Sequence, residues 1–285
     1  STNACGVPDV TVIAKIGFDH MAILGDTLAQ IAAEKAGIIK HGTALVLESQ
    51  EKEAMDVLNK AAERADIKTI KVVNLDEIRI LPQKDGKQCF SYAGYDAVTM
   101  KMLGVHQYEN AVAAMLAAEL FFEKYFAGKK NVPELKALQH AIREGIDRTQ
   151  WMGRMELVSN DPFFLMDGAH NSNGVEALKK SLETMYPDEK FHFIMGVMAD
   201  KDYGEMIREL LPLALDFKTV TVESERALQG EALADCIRAK GIPAEAYRNL
   251  ADVLPDFSKS SAEKTVAFGS LYFIGEIEAF LRGKQ

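Results

Sequence analysis

Lys35 is a cation in a place that asks for a hydrocarbon. A helix is signalled after Gly25-Asp26, with Thr27 as its N-cap and Gly37 as its stop. On that helix Leu28, Ile31, Ala32 and Lys35 fall at i, i+3, i+4 and i+7, which is one face. Three apolar positions and one ammonium therefore share the stripe that should pack. One reading is that Lys35 snorkels near the helix C-terminus, where a cation suits the macrodipole. The other is that it is partly desolvated and nucleophilic, able to take up CO2 as a carbamate and so become an oxygen ligand for a hard cation such as Mg²⁺. His20, beyond the apolar run of residues 10–16, is a second ligand on that reading. Spacing alone leaves both open.

Five further positions invite the same comparison. Asn110 stands where a long helix begins and reads first as a cap. His106, just before it, reads as a packed or hydrogen-bonded structural histidine. Arg154 follows a Gly-containing turn, where a lone arginine is ordinarily solvated. Asp167 and His170 lie in the polar stretch 167–173, either as groups that shape an Asx-type turn or as ligand contacts. As a loop carboxylate, Asp167 is expected to carry little packing, so that its loss should leave the fold intact.

The elements that must position these residues form two series. Residues 10–16 and 43–47 read as β-branched strands, and 50–64 as a helix with Ala54, Val57, Leu58 and Ala61 on one face. Residues 68–81 suggest strands, and 83–94 carry the Lys-Asp-Gly-Lys signal of a hairpin. The helix expected over 103–122 has no polar residue between Ala111 and Ala118, which predicts burial on most sides. Another helix is expected over 133–148. From there one unit repeats: strands at 155–158, 163–166, 191–195, 220–222 and 265–268, the last four each followed by a helix. Such alternation predicts a mostly parallel, doubly wound α/β sheet, whose ligands bind beyond the C-terminal strand ends. The stretch 167–173 falls at such an end.

Composition bounds the function. At 285 residues, 48% hydrophobic and 26% charged, the chain is of ordinary globular type with room for two cores. Its net charge of −9 argues against a nucleic-acid partner. No apolar run approaches the roughly 18 residues of a membrane span. Cys5, Cys89 and Cys236 are odd in number and unclustered, against a disulfide framework or zinc site, which favours a reduced cytoplasm.

Taken together, these stretches resemble the folylpolyglutamate synthase/dihydrofolate synthase family of the Mur ligase superfamily. Asp19-His20, Leu24-Gly25-Asp26-Thr27 and Glu34-Lys35-Ala36-Gly37-Ile38 resemble its D-H-x-x-x-L-G-x-T and E-K-A-G-I. Gly104 to Ala111 resembles G-x-H-Q-x-x-N-A. Gly153-Arg154 resembles P-G-R, with Met152 in place of the proline. Asp167-Gly168-Ala169-His170-Asn171 matches D-G-A-H-N, with Ser172 where proline is usual. The stretch 196–203 resembles G-x-x-x-D-K-D-Y and is assigned no chemistry. Ser1-Thr2-Asn3 resembles the tail of G-G-R-L-D-[AS]-T-N, and no Gly-rich phosphate loop follows. A truncated fragment, inactive by itself, is therefore expected.

The resemblance implies a remnant of a central ATPase domain over 1–152 and a Rossmann-like ligase domain over 153–285. It implies a carbamylated Lys35 and His20 as magnesium ligands, Asn110 on the adenine, and Arg154 on the ATP phosphates. Asp167 would contact the nucleotide, and His170 would lie in the active site. The implied reaction joins glutamate to folate, or to dihydropteroate, using ATP and Mg²⁺ through an acyl phosphate. The expected partners are those small molecules, with no nucleic acid or membrane, in a monomer. A Mur-type ligase of peptidoglycan precursors and a non-catalytic nucleotide-binding module are the alternatives.

Overall fold

The computed structural model describes residues 6–18, 24–84 and 86–283. The chain divides into two compact units. The first comprises Ser1–Lys101 with His106–Thr149, and the second Met102–Val105 with Gln150–Gln285. The change of unit at 149/150 lies three residues before the expected boundary. The short segment 102–105 was not legible as part of the second unit. It joins that unit because Leu103 is buried in its core and the Val105 N–H donates to Ser181 Oγ at 3.1 Å.

In the first unit, β1 (Val10–Ile13), β2 (Ala44–Leu47) and β3 (Ile70–Val72) form a parallel sheet in that order. The alternation of β2 sorts its faces. Leu45 and Leu47 pack with α1 (Leu28–Ala36) and α2 (Lys52–Arg64), through Ile31, Ala32, Ala54 and Leu58. Val46 points the other way, into a core shared with α3 (His106–Phe126) and a second, antiparallel sheet. That sheet is β4 (Arg79–Lys84), β5 (Lys87–Tyr92) and β6 (Tyr95–Met100). The expected hairpin is present, with Lys84 opposite Lys87. A second tight turn follows at Ala93-Gly94, both with positive φ (42° and 86°), the twist that two-residue hairpins favour. The α4 helix (Leu135–Arg148) completes the unit.

In the second unit a six-stranded sheet runs β11-β10-β9-β12-β8-β7. Its strands are β7 (Glu156–Asn160), β8 (Phe163–Met166), β9 (Phe191–Met195), β10 (Ala214–Val220), β11 (Ala244–Tyr247) and β12 (Lys264–Phe268). All pairings are parallel except β7 with β8. The crossovers β8–α5–β9, β9–α6–β10 and β10–α7–β11 all step the same way. Right-handed connections therefore place α5 (Ser172–Met185), α6 (Tyr203–Leu210) and α7 (Gly230–Arg238) on one face. The chain then returns to β12 and continues into α8 (Leu271–Gly283), whose Phe273, Ile274 and Ile277 cover the other face. This is the doubly wound arrangement expected, and β12, between β9 and β8, is where the winding reverses. Among the described residues no helix is long and apolar enough to cross a membrane.

Candidate active site

Three loops meet at the C-terminal ends of β8, β12 and β9, and backbone bonds stitch them together. The Asp167 N–H donates to Ala267 O at 2.9 Å, Gly269 N–H to Ala169 O at 3.0 Å, and Gly196 N–H to Phe268 O at 3.2 Å. Gly269, at φ 124°, lies so close to the β9 loop that a Cβ would stand 2.5 Å from Gly196 O. No side chain fits there.

Asp167 sits at the middle of this junction and is only 6% exposed. Its Oδ1 accepts from Ala169 N–H and its Oδ2 from Met155 N–H, both at 2.8 Å. The first bond is the Asx-type turn that a loop-shaping aspartate makes. The second ties in the turn that carries Arg154. Asp167 is thus a buried structural carboxylate, which corrects the expectation that it carries little packing. Burial pushes its pKa up to about 6, against the pull of the two backbone N–H groups, Arg154 and His170.

Arg154 is presented by an unusual backbone. Gly153 and Met155 flank it at φ 64° and 46°, and Met155 is 1% exposed in the core. The Gly168 N–H donates to Gly153 O at 2.7 Å, and Gly153 N–H to Glu156 Oε2 at 2.7 Å. A Cβ on Gly168 would lie 3.3 Å from an Arg154 guanidinium nitrogen, so that group rests over the glycine. Among the described residues half-buried Arg154 makes no hydrogen bond or ion pair. A positive charge beside a carboxylate already engaged with backbone is suited to an incoming anion.

In the same loop the His170 Nδ1–H donates to Gly168 O at 2.8 Å, which places the lone pair of the neutral ring on Nε2. Asn171 is a cap. Its Oδ1 accepts from Gly174 N–H at 2.8 Å to open α5.

In the first unit the outcome is mixed. Asn110 is the fifth residue of α3, so the cap reading fails; its Nδ2 instead donates to Gln107 Oε1 at 3.0 Å. Gln107 Nε2 donates in turn to His106 Nε2 at 2.9 Å, the hydrogen-bonded role expected of that histidine. Thr27 does cap α1, with the full capping box to Gln30. Lys35, in the last turn, is exposed. Ala36 beside it stays packed while the longer Lys35 side chain reaches solvent, which favours the solvated reading and leaves the amine accessible. His20 lies outside the described residues.

Two carboxylates went unread in the sequence. Glu48, just past β2, is 4% exposed, and its Oε2 accepts from Lys15 N–H at 2.7 Å. Glu109 Oε1 accepts from Ser49 N–H at 2.6 Å. Burial, helped by the Glu109 charge, raises the pKa of Glu48 to about 7 against the Lys15 N–H bond. With Gln50, which accepts from Ile16 N–H at 2.8 Å, these groups tie together the C-terminal ends of β1 and β2. The available signal was a glutamate directly after the apolar run of β2.

Two observations bear on ligands. Among the described residues no three His, Cys, Asp or Glu side chains gather as a metal centre. Lys35, an ammonium unless carboxylated, does not supply an oxygen, so the described residues alone do not fit a magnesium ion. A cavity of about 480 Å³ in the first unit is lined by His41, Asp66, Lys68 and Lys124. It lies at the N-terminal ends of β2 and β3, the opposite end of the sheet from Glu48, where open α/β sheets do not place ligands.

Comparison with known proteins decides the lineage. Residues 2–118 match the Mur ligase middle domain, and residues 153–268 the Mur ligase glutamate ligase domain. The dihydrofolate synthase/folylpolyglutamate synthase of Bacillus subtilis (strain 168) is 32% identical, over 96% of this chain and 63% of that one. The chain belongs to the folylpolyglutamate synthase/dihydrofolate synthase family of Mur ligases. Folylpolyglutamate synthase of Lacticaseibacillus casei is 26% identical, over 99% of this chain and 64% of its own. The structure of Mycobacterium tuberculosis folylpolyglutamate synthase complexed with ADP superimposes with a TM-score of 0.79 at 26% identity, covering 98% of this chain and 64% of that one. The chain therefore spans less than two thirds of these family members. Within the family match, Gly153 is the first residue of the glutamate ligase domain.

Proposed function

We propose that this chain carries part of the machinery of an ATP-dependent ligase that adds L-glutamate to a folate, or to dihydropteroate. The observation that carries the reading is Arg154, unpaired among the described residues and held over Gly168 beside His170, in a chain of this family. A carboxylate oxygen of the acceptor attacks the γ-phosphorus of ATP, the β–γ bridging P–O bond breaks, and ADP leaves. The glutamate amine then attacks the acyl carbon and loses a proton. The C–O bond to phosphate breaks, leaving an amide and inorganic phosphate.

Positioning and charge neutralisation dominate such phosphoryl transfers. Arg154 serves the negative charge on the transferred phosphoryl group. His170 accepts the amine proton through Nε2. Asn110 contacts the adenine. Magnesium is the cofactor of this reading, with His20 and carboxylated Lys35 as its ligands, and no step here is derived through it. The partners are these small molecules, in a cytoplasmic monomer without nucleic acid or membrane.

The test is a panel of acceptors given to the natural full-length protein with ATP and labelled glutamate. Label should enter folate or dihydropteroate products. Incorporation only into peptidoglycan precursors would replace the reading by the Mur-type alternative, and nucleotide binding without any ligation would replace it by a non-catalytic module.

A further inference from the structure

We propose that Gln107 is a positioning residue that makes the nucleotide site select adenine, by fixing which way round the Asn110 side-chain amide stands. This deepens the ligase reading and rests on it, since that reading puts Asn110 on the adenine. A half-turn of an amide exchanges its carbonyl oxygen and its NH2 group, so an unrestrained asparagine offers a base either pattern. Asn110 is restrained. Three residues earlier on α3, and so on the same face, Gln107 Oε1 accepts from Asn110 Nδ2 at 3.0 Å. Turning Asn110 round would set its Oδ1 against that oxygen, two acceptors face to face.

The orientation of Gln107 is itself decided. Its amide nitrogen can only donate, so at 2.9 Å from His106 Nε2 the ring nitrogen is the acceptor and the ring proton sits on Nδ1. His106 thus orients Gln107, and Gln107 orients Asn110. Gln107 is 7% exposed, and a reversed amide there would leave buried polar atoms facing the wrong partners. Half-buried Asn110 keeps Oδ1 and its second Nδ2 hydrogen unpartnered among the described residues, an acceptor beside a donor. Adenine carries the complement, an exocyclic amine next to a ring nitrogen that accepts, and an asparagine amide meets it with two hydrogen bonds. Hypoxanthine has a carbonyl oxygen in place of that amine, and Asn110 Oδ1 would face it with no proton between them.

The test compares ATP with ITP, its hypoxanthine counterpart, in the natural full-length protein as wild type, Gln107→Met, Asn110→Ala and the double variant. Methionine is close to glutamine in length and volume and removes both hydrogen-bonding groups. Wild type should prefer ATP in kcat/KM by about fivefold or more. Gln107→Met should lose most of that preference, mainly through KM rather than kcat. In the Asn110→Ala background the same change should leave the ratio where it is. Equal use of both nucleotides by the wild type, a preference kept in Gln107→Met, or a further fall of the ratio in the Asn110→Ala background would overturn the proposal.

An arm independent of activity uses this chain itself. Nitrogen-15 shifts of the His106 ring should show the proton on Nδ1 and a bare Nε2. The opposite tautomer would contradict the relay from His106 to Asn110. If the wild type ligates with neither nucleotide, the ligase reading fails, and the tautomer still decides the relay. Should Gln107→Met not fold, His106→Phe substitutes, keeping a ring and removing the acceptor that orients Gln107. It should show the same loss of preference, and an unaltered ratio would again overturn the proposal.

Discussion

At Glu48, burial and backbone bonding pull in opposite directions, and burial wins. The folded chain holds the proton more tightly than the unfolded chain, whose glutamate titrates near its ordinary value of 4.5. The sign follows from linkage. Stability from this group is full below the unfolded value and is lost as pH rises toward about 7. The shift is worth about 3 kcal/mol at most. Glu48→Gln keeps an acceptor for Lys15 N–H without the charge, so it should raise the melting temperature more at pH 8 than at pH 5. An equal shift at both would show that the charge is not what costs stability. Asp167 shares this sign, but its bonds matter more. Asp167→Ala leaves two buried N–H groups unsatisfied and should destabilise by about 2–4 kcal/mol, measured by denaturant unfolding of this chain. This reverses the expectation that losing this carboxylate leaves the fold intact. The sequence displayed an aspartate in a polar loop, and nothing local announced a partner twelve residues back.

At the scale of elements, local chemistry was legible and long-range pairing was not. Thr27 and Gly37 bound α1 as read, because a capping box is written in adjacent residues. Thr27→Ala should therefore cost about 1 kcal/mol, seen as a lower melting temperature with an unchanged fold. The β9 strand was found at its exact limits because all but one of its residues are apolar. β10 was read as residues 220–222 only, since Asp216 and Lys218 interrupt its apolar run while Phe217 and Thr219 face inward. The short, polar β11 escaped notice altogether. Lys35 shows the limit of periodicity. Its position on the helical stripe was correct, but in the last turn that stripe packs only through Ala36, and the Lys35 side chain is exposed. At the meeting of β9 and β12, Gly269→Ala would push a methyl into the Gly196 carbonyl, in a backbone conformation that L residues avoid. It should destabilise far more than the cap variant and perturb the 167–169 loop bonded to it, as an amide-exchange map would show.

For the molecule as a whole, the doubly wound second unit and the order of the motifs were readable because each motif is short and contiguous. What brings Arg154, Asp167 and His170 together is tertiary: an antiparallel β7–β8 pair returns the chain from the Arg154 turn to the Asp167 loop. Arg154→Ala in the natural full-length protein should reduce kcat by about 10²-fold or more with a smaller effect on ATP affinity, if its charge serves the transition state. The most direct measurement is isotopic. Folate labelled with ¹⁸O in its terminal carboxylate, incubated with the full-length protein, ATP and glutamate, should transfer one ¹⁸O to the inorganic phosphate released for each amide formed. Amide formation with unlabelled phosphate, or with AMP and pyrophosphate as products, would contradict the acyl-phosphate ligase described here.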